Sequence, residues 1–114
     1  MKLLTNELFA ALLANAKARK QDGGPFDPHP VVKLFTPDGA ATWLLTEVEP
    51  DDSDLAFGLC DLGLGFPELG YVSLNELAGV RGRLGFPVER DLSFKADKPL
   101  SAYLKAAREG KHYA

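Results

Sequence analysis

VVKLFTPDGAATWLLTEV, residues 31–48, is the stretch that decides the fold. VVKLFT (31–36) and AATWLLTEV (40–48) read as strands on either side of Thr36-Pro37-Asp38-Gly39, where proline at the second position presets a tight turn. The two runs are expected to pair as an antiparallel hairpin. EPDDSD (49–54) then reads as the next connection and LAFGLC (55–60) as a third strand. The two-residue period of a strand puts Leu55, Phe57 and Leu59 on one face and Ala56, Gly58 and Cys60 on the other. That small-residue face leaves room for a helix to come close. DLGLGFPELG (61–70) is a long loop leading to a short strand at 71–73. VERDLSF (88–94) reads as the last strand, with Val88, Leu92 and Phe94 on one face.

Helices flank this run. Thr5 is a good N-cap, and Leu4 and Phe9 are spaced as a hydrophobic staple. Leu8, Leu12, Leu13 and Ala16 recur at three- and four-residue intervals and make one apolar stripe. Lys17, Arg19 and Lys20 close that helix, where positive charge suits the dipole. The loop QDGGPFDPHP (21–30) carries the chain to the first strand. Ser73-Leu74-Asn75-Glu76 is a capping box opening a two-turn helix through Leu77 and Val80. A terminal helix from Leu100 is expected to bury Leu100, Tyr103, Leu104 and Ala107, with Gly110 at its end. The order α-β-β-β-β-α-β-α predicts an α+β fold: an antiparallel sheet of four to five strands with helices packed against one face or end. The 114 residues make one domain, without an internal repeat, and Trp43, Phe57, Leu59, Leu8 and Leu12 are its expected core.

Composition narrows the function. With 13 bases against 16 acids the net charge is −3, which disfavours a general DNA binder. A single cysteine, Cys60, allows no internal disulfide and suits a reducing, cytoplasmic setting. No apolar run reaches the roughly 20 residues of a membrane span. The phosphate-loop, HExxH and GxSxG patterns are all missing, and Gly63-Leu64-Gly65 lacks the third glycine of a dinucleotide fingerprint. A nucleophilic pair of Cys60 with His29 or His112 is conceivable. Cys60, however, sits on the small face of a strand, where cysteine usually behaves as a small hydrophobe. Asp51, Asp52 and Asp54 could supply oxygen ligands to a hard cation in a metal-dependent hydrolase, although Ala56 breaks the EF-hand pattern. Arg81, Arg83 and Lys95 are the candidates for touching nucleic acid, and Gly82-Arg83-Leu84-Gly85 has a loose likeness to an RNA-binding GxxG loop.

Charge order along the chain says more than any motif. Residues 1–33 carry a net charge of +2, residues 34–80 hold nine acids and no lysine or arginine, and residues 81–114 carry +4. The acids can pair with the terminal bases across the fold, or they can form an acidic face that steers a basic partner.

The stretch FGLCDLGLGFPELGYVSLNELAGVRGRLGFPVERDLSF (57–94) resembles the bacterial domain-of-unknown-function family 2958. The likeness rests on Phe57-Gly58-Leu59, Pro67-Glu68-Leu69-Gly70-Tyr71, Ser73-Leu74, Glu76-Leu77, Val80-Arg81-Gly82, Leu84-Gly85, Pro87 and Glu89-Arg90-Asp91. LLTNEL, VKLFTPDG and TWLLTE extend it over roughly residues 3–95, leaving the terminal helix outside. The resemblance implies a setting on plasmids, phages and other mobile elements, and it brings no established catalytic or binding residue. The function expected from all this is a non-catalytic accessory protein without a cofactor. Its acidic surface of Glu47, Glu49, Asp51, Asp52 and Asp54 would bind a protein with a basic groove, such as a host defence nuclease or its guide complex.

Overall fold

The computed structural model describes residues 3–110, and its sheet grows from the 31–48 hairpin. Strands β1 (Val32–Phe35), β2 (Thr42–Glu49), β3 (Asp52–Asp61) and β4 (Glu68–Ser73) form an antiparallel meander. The short β5 (Glu89–Arg90) joins the free side of β1, giving the order β4-β3-β2-β1-β5. Helices α1 (Asn6–Asp22), α2 (Leu74–Gly79) and α3 (Leu100–Arg108) complete an α+β fold in the order expected. The Pro-Asp-Gly turn forms as read, with the Gly39 amide donating to the Thr36 carbonyl at 3.2 Å. Thr36 then closes the hairpin by accepting the Ala41 amide on its own Oγ1 at 3.0 Å.

The helices do not share one face. Leu12 of α1 and Leu77 of α2 pack with Val32, Leu34, Trp43, Leu45, Val48 and Ala56. Leu100 and Tyr103 of α3 pack with Leu44 and Leu59 instead. Leu44 alternates with Trp43 and Leu45 along β2, so these are the two sides of the sheet. Both faces are therefore covered, and Phe57, expected in the core, is only half-buried on the α3 side. Leu8 is likewise half-buried.

Three segments differ from the sequence reading. The strand expected at 71–73 starts at Glu68, because Glu68, Leu69 and Gly70 pair with Cys60, Leu59 and Gly58 and shorten the loop expected over 61–70. The connection expected over 49–54 shrinks to Pro50 and Asp51, since Glu49 already pairs with Asp52. A two-residue hairpin loop needs no more chain than that, so the acids 52–54 become strand. The last strand is cut to two residues. Asp91 ends it by accepting the Ser93 amide on Oδ1 at 2.9 Å, a side-chain turn that diverts the backbone. Leu92 is left 79% exposed, and Phe94 packs on the α3 side while Val88 packs on the other.

A bulge at Thr46 shapes the middle of the sheet. The β2–β3 register slips between Leu45 and Glu47, and β1 begins only opposite Leu45. Helix α1 takes over there. Asn15 Nδ2 donates to the Thr46 carbonyl at 2.9 Å, and Ala16 is fully buried beside it. Gly58, opposite the bulge, is required, because a Cβ there would run into the β2 backbone at Leu44 and Leu45. No helix among the described residues is long and apolar enough to cross a membrane.

Candidate functional site

The acidic segment is largely committed inside the molecule. Glu47 is 5% exposed, and its Oε1 accepts Arg19 Nε at 2.7 Å. Glu49 takes Arg19 Nη2 and Lys20 Nζ, each at 3.3 Å. The hydrogen bond to Glu47 raises the Arg19 guanidinium further above its usual range, against a smaller opposing effect of burial. Asp54 reaches across to α2, accepting Ser73 Oγ at 2.6 Å and the Asn75 amide at 2.7 Å. These bonds, that from Ser73 first, hold its carboxyl below the usual aspartate range. Asp52 Oδ1 accepts the Asp54 amide at 3.1 Å. Of the five acids, only Asp51 and Asp52 remain exposed, beside the β2–β3 turn. Among the described residues no group of three or more His, Cys, Asp or Glu side chains is arranged to hold a metal ion.

The bases are not gathered either. Arg81 bends back so that Nη1 donates to the Ala78 and Val80 carbonyls, and it lines a cleft of about 750 Å³ with Leu4, Phe9 and Leu74. Arg83 is exposed in the loop after α2. Lys95 lies between Phe94 and Ala96, which pack on the α3 side, the opposite face from that cleft. Cys60 is half-buried, and burial, with a smaller push from Glu68, drives its thiol up, away from the thiolate a nucleophile needs. His29 is exposed in the loop before β1, and His112 lies outside the described residues.

What the sequence reading missed lies at the other end of the sheet. Leu-Gly-Phe-Pro occurs twice, at 64–67 and at 84–87. In both copies the glycine adopts the left-handed conformation that L residues avoid, φ 89° at Gly65 and 86° at Gly85. Both present their leucine and phenylalanine to water: Leu64 is 73% exposed, Phe66 79%, Leu84 77% and Phe86 50%. Leu62 adds a fifth exposed apolar side chain.

The two loops are anchored on opposite sides of the β1–β2 turn. Asp38 Oδ2 accepts the Leu84 amide at 2.6 Å and the Phe86 amide at 3.4 Å. Its Oδ1 is buried without a hydrogen bond and presses against Gly82, where a Cβ would not fit. On the other side Gly63 packs against Ala40 so closely that it too has no space for a Cβ. The only visible signal for this arrangement was the repeated tetrapeptide itself, too short to register as a repeat.

The family model for a protein of unknown function, DUF2958, matches residues 3–112. The chain belongs to this family. The match runs past residue 95, so α3 is part of the DUF2958 domain rather than an appendage outside it. No curated protein and no solved structure matches the chain.

Proposed function

We propose that this DUF2958 domain is a non-catalytic protein-binding module that docks through the loop end of its sheet. The observation that carries this reading is the set of five large apolar side chains, Leu62, Leu64, Phe66, Leu84 and Phe86, each at least half exposed around one turn. Exposed apolar clusters of this kind, rimmed by polar groups, commonly mark interaction surfaces. Charges of both signs flank these side chains along the loops: Asp61 and Glu68 bracket the first, Arg83 stands in the second, and Asp38 anchors the second from the turn between them. That mixed rim suits a protein partner better than an anionic membrane, which calls for clustered bases.

The mobile-element setting would place the partner among the proteins of such an element or its host. A narrower version, inhibition of a host defence nuclease through an acidic surface, rests on Asp51 and Asp52, because Glu47, Glu49 and Asp54 are engaged internally. Affinity capture from native host cells separates these readings. The bait would be wild type, the quadruple variant Leu64→Ser, Phe66→Ser, Leu84→Ser and Phe86→Ser, and the pair Asp51→Lys and Asp52→Lys, each checked for folding by circular dichroism. The proposal expects the quadruple variant to lose the captured protein and the lysine pair to keep it. The reverse result would transfer the function to the acidic turn. Capture of RNA or DNA alone, lost on changing Arg81, Arg83 and Lys95, would replace protein binding by nucleic-acid binding.

A further inference from the structure

We infer that β4 is a self-pairing edge, through which two copies of this chain join their sheets into one ten-stranded sheet. This goes beyond the docking loops and does not depend on them. Strand β4 ends the sheet, and among the described residues no hydrogen bond covers its outer side. Edge strands are normally protected by lysine, proline or a bulge. ELGYVS has none of these, and its one charge is Glu68 at the start.

Backbone alternation decides which groups face outward. The Thr36 amide donates to the Ala41 carbonyl and Val31 to Leu45, so Leu45 directs its backbone groups to β1 and Leu44 directs its own to β3. Carried through Leu44↔Leu59 and Gly58↔Gly70, this alternation turns Glu68, Gly70 and Val72 toward β3. Leu69 and Tyr71 point their N–H and C=O groups out of the sheet.

A two-fold axis through Gly70 satisfies all four of these groups at once. Leu69 of each copy then exchanges both bonds with the second copy's Tyr71, and the two Gly70 residues meet as the closely spaced, non-hydrogen-bonded pair. Glycine suits that position, and the space beside Gly70 is open. Side chains agree with the backbone. Leu69 and Tyr71, 41% and 53% exposed, stand on the same face, so each covers its opposite number twice by symmetry. Glu68 faces Val72, and the two Glu68 carboxylates stand four residues apart along the seam. That is about 14 Å, beyond the screening length at physiological salt.

Sedimentation equilibrium of the full chain over a concentration series tests this. Wild type should approach twice the 12.3 kDa chain mass as concentration rises. Leu69→Lys with Tyr71→Lys places like charges opposite each other and should leave a folded monomer. Leu69→Lys with Tyr71→Glu pairs opposite charges only in the Gly70-centred register and should restore the dimer. A single 12.3 kDa species for wild type up to its solubility limit would overturn the proposal. So would a dimer that survives the lysine pair, or one abolished by the four serine substitutions in the docking loops.

Discussion

Asp54 joins two elements with one carboxylate. It accepts from the hydroxyl of Ser73, and that same hydroxyl accepts the Glu76 amide as the N-cap of α2. A strand residue thus props up the cap of the helix that follows the next strand. Because its folded pKa lies below the ordinary value of 3.8, the stabilisation is fully present above that value. It is lost as pH falls through the lower folded value, when the carboxylate protonates. Urea titrations at a series of pH values should therefore show wild type more stable than Asp54→Ala at neutral pH. The two midpoints should converge in acid.

Element by element, the sequence was a good guide wherever the signal was local. Thr5, the Pro-Asp-Gly turn and the Ser73 cap on the Glu76 amide each act within a few residues, and each appears as read. Where the deciding partner is distant it gave alternatives rather than an answer. The charge order allowed the acids either to pair with the terminal bases or to form an acidic face, and the first holds at Glu47 and Glu49, although nothing near Glu47 in the chain singles out Arg19, 28 residues earlier. Arg19→Ala should cost about 2 kcal/mol by denaturant unfolding, less than the 3–5 kcal/mol of a fully buried pair, because 36% of its side chain meets water. Adding Glu47→Leu should recover part of the loss. The α3-side core is equally non-local. Leu59→Ala should cost about 2–5 kcal/mol, while Leu64→Ser on the exposed loop should stay within about 0.5 kcal/mol of wild type. A scan giving similar losses at both positions would contradict the assignment of core and surface.

At the scale of the whole molecule, the two ends of the sheet differ in chemistry. The exposed acids Asp51 and Asp52 sit by the turn at one end, and the paired Leu-Gly-Phe-Pro loops at the other. Partner affinity carried by the apolar end should stay roughly constant from low to high salt, whereas affinity carried by the acidic turn should fall as charges are screened. A binding titration at several ionic strengths reads the difference directly.

The placement of α3 also matters before the protein is finished. Its cap is held by residues far upstream, the Leu100 amide on the Pro28 carbonyl and Ser101 on Asp27, and its side chains form the far cover of Leu44 and Leu59. A ribosome delivers the chain from its N-terminus at about 5–20 residues per second, so the 35 residues from Ser73 to Arg108 take about 2–7 s to arrive. For that interval the nascent meander has one oily side bare and, until β5 arrives, both of its edges unpaired. Aggregation during synthesis should therefore start from that bare side and those edges, and only the arrival of α3 closes the side.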